Sequence, residues 1–236
     1  MTKVTLIACT PNPVALMSLS AHCCTTDGEL SFENEEESQY KSLCHAVESN
    51  HQSVMEHVTL TFLIEGMSRA CSHQLVRHRV ASISQQSQRY VKTEEPIIML
   101  PKSIKKAIGK ELTNGGGMSP NGCLQASLDN FDKCLNDCIR RMRELGVPEE
   151  DIRYLYPQGT ITNMVFTCNM RELKHIAEER LCNRAQWEIR EIVKCMVDLT
   201  NQAVQPNLIP LVPKCKALGY CPEAKCCGLS KPRPKE

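Results

Sequence analysis

Arg77-His78-Arg79-Val80-Ala81-Ser82-Ile83-Ser84-Gln85-Gln86-Ser87-Gln88-Arg89-Tyr90 packs three arginines, a histidine, three serines and three side-chain amides into fourteen residues without one acid. Guanidinium forks and hydroxyls are the groups that hold planar anions such as phosphates and carboxylates. Arg77 and Arg79 stand two apart, as do Ser87 and Arg89, so in extended geometry each pair projects to one side. Such pairs suit a phosphate and leave the amides to read a base edge. The residues alone also fit a solvated polar turn with surface ion pairs. The run lies between apolar segments, which sets it at the border of a packed core.

Outward from this stretch, the chain is nearly neutral. Its 236 residues carry 28 basic and 27 acidic side chains, a net +1, so the basic character is local and points to a small anionic ligand rather than a nucleic acid polymer. Only four Phe, five Tyr and one Trp are present, too few for a base-stacking series. The fifteen cysteines are odd in number and scattered, as in a reduced cytoplasmic protein with free thiols. Thr5-Leu6-Ile7-Ala8-Cys9 reads as a strand rather than a leader, and no run approaches ~18 apolar residues, so no membrane span is expected.

Periodicity predicts a strand over 4–9, a short helix near 14–21, and a helix from Glu35 to His51 with Tyr40, Leu43, Cys44 and Val47 on one face. Val58 to Ile64 reads as a strand ended by Gly66, and Ser68 as the cap of a helix reaching Arg77. The arginine-rich stretch then runs through a loop into a strand near 87–91. Residues 109–123, with Gly115-Gly116-Gly117 and Asn121-Gly122, read as a loop, and no GK[ST] ending makes them a phosphate loop. Leu124, Leu128, Phe131, Leu135, Cys138 and Met142 mark an amphipathic helix that stops at Gly146. A short helix over Pro148–Tyr156 and a strand over Thr160–Cys168 follow. A helix capped by Asn169 with Glu172 three residues on, and another over Ala185–Val204, complete the pattern. Helices and separate strands without regular alternation give an α+β class. A domain over 1–215 and a Cys/Pro/Lys-rich tail over 216–236 are expected.

Three further clusters carry possible chemistry. Gln52-Ser53-Val54-Met55-Glu56-His57 brings a carboxylate near His51 and His57, without the i, i+4 spacing of zinc enzymes, so capping roles compete with a metal. Asn169 through Arg180 sets Asn169, Arg171, His175 and Arg180 on a helix whose N-terminus offers donors to an anion; a charged solvent face is the alternative. Cys215, Cys221, Cys226 and Cys227 place four thiols within thirteen residues but lack paired C-x2-C knuckles.

The order Arg77-His78-Arg79, seven residues, Ser87 resembles the signature of flavin-dependent thymidylate synthases. The Ser53–His57 element, Asn169-Met170-Arg171, and Arg180 leading to Ala185-Gln186-Trp187-Glu188 fall where that family has them. The resemblance spans roughly residues 4 to 215. It implies that family's fold, with mixed helices and an antiparallel-type sheet, and a cytoplasmic homotetramer with sites shared between subunits. It also implies conversion of dUMP to dTMP, with 5,10-methylenetetrahydrofolate as the carbon-donating folate and FAD reduced by NADPH. Carried over by position, Ser53, Arg77, His78, Arg79, Gln85, Asn169, Arg171 and His175 contact FAD. Gln74, Arg77, Gln85, Gln86, Ser87, Gln88, Arg89, Arg153 and Arg180 hold dUMP. Arg180, the catalytic residue, sits against the pyrimidine and favours ionisation at N3. A permanently protonated arginine stabilises developing charge and is a poor general base. No metal and no cysteine nucleophile is implied, because the reduced flavin delivers hydride.

The chain departs from the family in places. Gln85 stands where a number of relatives carry glutamate, which removes any proton-handling role there and leaves hydrogen bonding. Ser84 stands where some carry asparagine, His175 where asparagine also occurs, and Ala21-His22-Cys23-Cys24 replaces an alanine-arginine start.

Overall fold

Leu60, Phe62 and Ile64 alternate with Thr59, Thr61 and Leu63, the period-two pattern of a strand with one buried face. In the computed structural model this becomes β2, Thr59–Ser68, with those three apolar side chains fully buried. The structure describes residues 2–28, 30–32, 37–93, 95–113, 123–204 and 208–234. β1, Lys3–Cys9, pairs antiparallel with β2, Leu6 opposite Phe62, with an irregularity between Leu6 and Ala8. β3 is Ala81–Gln85 and β4 is Ile161–Asn169, and the antiparallel sheet has the order β1-β2-β4-β3. The class is α+β, as expected.

The chain forms two compact units. The first comprises Met1–Glu65, His73–Ser84 and Asn163–Glu236 and holds most of the sheet. Along β4, Met164, Phe166 and Cys168 bury at alternate positions. Helix α7, Met170–Arg180, buries Leu173, Ile176 and Ala177, and α8, Trp187–Ala203, buries Ile189, Ile192, Val193 and Met196. These two helices pack on each other, and α8 also packs on β1. Each fully buried aliphatic or aromatic side chain contributes about 1.5–3 kcal/mol, so this layer dominates the unit's stability. Helices α1, Pro13–Cys23, and α2, Glu37–Glu48, pack side by side.

The second unit comprises Gly66–Ser72 and Gln85–Thr162. It contains the start of α3, Arg69–Leu75, with α4, Lys102–Thr113, α5, Leu124–Glu144, and α6, Glu149–Ile152. Leu135, Ile139 and Ile152 form its core, with Ile98, Met142, Val147 and Tyr156 packed against them. Arg143 braces it, donating through Nε to Glu149 Oε1 (2.6 Å) and through Nη2 to Glu149 Oε2 (3.0 Å) and to the Thr93 carbonyl (2.9 Å).

Several expectations are corrected. The strand expected near 87–91 lies instead at 81–85, where Ala81, Ile83 and Gln85 alternate inward with exposed Ser82 and Ser84. Residues 87–91 turn, with the Val91 N–H donating to the Ser87 carbonyl (3.2 Å), so Ser87 and Arg89 are not an extended pair. Gly66 does not end β2; it takes φ +70° within the strand, a region glycine enters without a Cβ clash, and Met67 and Ser68 continue buried. Ser68 caps α3 as expected, accepting from Cys71 N–H (3.0 Å), but the helix stops at Leu75. Residues 109–113 end helix α4 rather than open a loop; the glycines at 115–117 and Asn121-Gly122 lie outside the described residues. Glu35, expected to begin the second helix, also lies outside them. Along α5 the apolar stripe is only partly used: Leu135 is buried while Phe131 is 51% exposed and Cys138 is exposed. Within the tail, Cys221 is buried and its N–H donates to the Lys231 carbonyl (2.7 Å). No helix among the described residues is long and apolar enough to cross a membrane.

Candidate active site

Strand β4 runs directly into α7, and the junction is fixed by Asn169, whose Oδ1 accepts from the Glu172 N–H (2.9 Å). This is the expected cap. The Glu172 side chain instead turns inward, its Oε1 3.6 Å from His78 Nδ1, and both side chains are buried. At the far end of the helix, Arg180 Nε–H donates to His78 Nε2 (3.0 Å). Burial, then the Arg180 and His175 charges, pushes the His78 imidazole down to about 4, so it is neutral at ordinary pH. A neutral His78 beside Glu172 makes a polar contact rather than an ion pair. Burial accordingly pushes the Glu172 carboxyl above its ordinary range, with His175 pulling it back. His175 stands edge-on to His78, ring centroids 5.9 Å apart.

The rest of the first unit's candidates lie around this core. Arg77 and Arg79 are exposed while His78 between them is buried; Arg77 stands in the turn that follows α3 rather than in extended backbone. Gln74 is half-buried near the end of α3. Ser53 is exposed on the 3-10 segment Gln52–His57, which Val54 and Met55 anchor and which packs on α7. There Glu56 pairs with Arg171, so this carboxylate holds an arginine of α7 and is not aimed at a metal with His51 and His57. His175 is exposed and Arg180 half-buried.

The other candidates belong to the second unit. Gln85 donates through Nε2 to Ser72 Oγ (3.0 Å) and to Thr162 Oγ1 (3.3 Å), while Ser72 Oγ–H donates to the Arg69 carbonyl (3.0 Å). An amide at Gln85 can serve this network because it carries two donors; a carboxylate there has none. Ser87 Oγ accepts from the Arg89 N–H (3.1 Å). Arg89 also donates from Nε to Glu150 Oε2 (3.2 Å) and lies over the Tyr90 ring. Gln86 and Gln88 are half-buried on either side of Ser87. Arg153 donates to the Glu150 carbonyl (3.0 Å), and its charge adds to burial in pushing the Arg69 guanidinium below its ordinary range.

Arg69 and Glu172 were missed in the sequence. Arg69 had a signal: a cation in the first turn of a helix opposes the macrodipole. Glu172 had a misleading one, because Glu at that position reads as the second half of a capping box.

A family profile described as thymidylate synthase complementing protein matches residues 5–206. The chain is 38% identical to a flavin-dependent thymidylate synthase of Pyrococcus furiosus, over 94% of this chain and 90% of that one. It is 40% identical to one of Pyrococcus horikoshii, over 94% and 90%, and 35% identical to one of Clostridium tetani, over 96% and 93%. With most of both partners aligned in each case, the chain belongs to the flavin-dependent thymidylate synthase family.

Proposed function

We propose that this protein converts dUMP to dTMP with FAD as its cofactor, 5,10-methylenetetrahydrofolate as carbon donor and NADPH as reductant. The observation that carries this reading is the Arg180–His78 hydrogen bond, which ties the end of α7 to the Arg-His-Arg segment of the family signature. FAD fits the donors of the first unit. Arg77, Arg79, Arg171 and His175 are exposed there, and guanidiniums match a pyrophosphate by charge and geometry. Together with Ser53, His78 and Asn169 they would hold the cofactor; Asn169 spends its oxygen on capping and keeps its amide N–H2 for this role. Gln85 of the second unit is assigned to FAD and to dUMP alike. When bound, the flavin supplies the reducing equivalents.

The nucleotide is assigned to Gln74, Arg77, Gln85, Gln86, Ser87, Gln88, Arg89, Arg153 and Arg180, with Arg69 added by its place beside Arg153. Arg180 uses Nε on His78, which leaves its terminal amino groups to stabilise negative charge at the pyrimidine N3 and carbonyl edge. The family's cytoplasmic homotetramer, with sites shared between subunits, is part of the same reading. So is the division into a catalytic domain over 1–215 and a tail beyond it. The test is dTMP formation by purified protein, omitting FAD, NADPH, the folate and dUMP in turn. Each omission abolishes product; dTMP formed without the flavin would refute the reading.

A further inference from the structure

Arginine Nε always carries its hydrogen, so an Nε–H bond to His78 Nε2 requires a lone pair on that nitrogen. A neutral imidazole with Nε2 unprotonated carries its proton on Nδ1. The side chain that faces Nδ1 is Glu172, 3.6 Å away, just outside hydrogen-bonding distance and buried with it. An ionised carboxylate only accepts, so it selects the Nδ1–H form over the other tautomer. Glu172 is itself rigidly placed, because its N–H is tied to Asn169 and it sits in the first turn of α7. The other titratable groups facing this pair are His175 on the same helix and Cys168 at the end of β4.

We infer that Glu172 is a positioning residue: its carboxylate holds the His78 proton on Nδ1, so that Nε2 stays an acceptor and fixes the aim of the Arg180 guanidinium. This line of three side chains works as a carboxylate–imidazole orienting device in which the oriented group is a cation rather than a nucleophile. Its consequence for turnover rests on the proposed role of Arg180 at the pyrimidine; the tautomer itself does not.

The experiment is histidine-selective ¹⁵N NMR on the flavin-loaded protein, with the His78 signal assigned by its loss in His78→Gln, alongside steady-state kinetics with dUMP. The wild-type protein is expected to carry the His78 proton on Nδ1. Glu172→Gln, whose amide oxygen still accepts, keeps that tautomer and keeps kcat/KM for dUMP within about threefold. Glu172→Ala moves the proton at least partly to Nε2 and lowers kcat/KM about tenfold or more, mainly through kcat, because the contact is spent on orientation. A proton on Nε2 in the wild-type protein overturns the inference without any variant, and so does an unchanged tautomer in Glu172→Ala. A shifted tautomer with unchanged turnover would uphold the Glu172–His78 link and overturn instead the assignment of Arg180 to the pyrimidine.

Discussion

Arg180 and His78 are 102 residues apart in the chain, and a 3.0 Å hydrogen bond from Arg180 Nε–H to His78 Nε2 joins them. The bond is possible only because burial keeps the imidazole neutral. An arginine that has committed Nε in this way has lost most of its rotational freedom, which is the condition for an electrostatic catalyst that works without reorganising.

Replacing Arg180 by alanine should leave the flavin bound and remove most of the activity. Loss of one charge-stabilising donor at a reacting centre costs on the order of 10²–10³ in kcat. Arg180→Lys should recover little, because an ammonium on a flexible stem cannot donate to His78 and present two further N–H groups together. Turnover with dUMP, measured against flavin content from the visible spectrum, checks both variants. Full activity in Arg180→Ala would refute its role.

Acid should weaken the fold through His78. Its folded value is lowered from 6.5 to about 4, so between these limits the unfolded chain binds a proton that the folded chain refuses. Stability therefore falls as pH drops from about 6.5 to 4, by at most about 3 kcal/mol from this residue. Glu149, held low by Arg143, acts in the same direction at lower pH, and Glu172, raised by burial, acts against it. Urea midpoints at pH 7 and pH 4.5 should differ less in His78→Gln than in the wild-type protein; equal differences would contradict the account.

Gln85→Glu should destabilise the protein. The carboxylate brings no donor to Ser72 Oγ or Thr162 Oγ1, and Ser72 can turn its own hydrogen to it only by releasing the Arg69 carbonyl. Loss of such half-buried hydrogen bonds costs about 1–2 kcal/mol. A urea midpoint that stays level or rises in this variant would show that the network does not need an amide.

Glu150 holds Arg89, which the proposed function assigns to the nucleotide. The pair is half exposed, so breaking it costs the fold about 0–1 kcal/mol, and the freed guanidinium becomes available to an anion. Glu150→Gln should tighten dUMP binding about two- to fivefold in calorimetric titration, and Arg89→Ala should weaken it more than about tenfold. Unchanged affinity in both would remove Arg89 from the nucleotide site.

Much of this was legible in the sequence where a local rule decides the outcome. Ser68 and Asn169 cap the helices they precede, and the apolar alternation at Leu60, Phe62 and Ile64 marks β2. The arginine-rich stretch was legible as chemistry but not as structure. Its strand lies at 81–85 because Ala81 and Ile83 supply the inward positions, a signal hidden by the serines between them. Helix α4 was missed because Gly109 and the glycines that follow it masked the helical spacing of Ile104, Ala107, Ile108 and Leu112. The Glu172–His78–Arg180 line lay beyond local reading, since its members meet only once α7 packs beside the segment that follows α3. Gln85 is fixed by two hydroxyls contributed from elsewhere in the chain, which no local pattern shows.

The central claim is that a flavin on this chain is reduced by NADPH in the service of dUMP. Its most direct test is the visible absorption spectrum of the purified, FAD-reconstituted protein, followed anaerobically after NADPH addition with and without dUMP. The account predicts a yellow protein whose flavin bands bleach, and bleach faster when dUMP is present. A protein that stays colourless after reconstitution, or whose flavin ignores NADPH in both conditions, would contradict it.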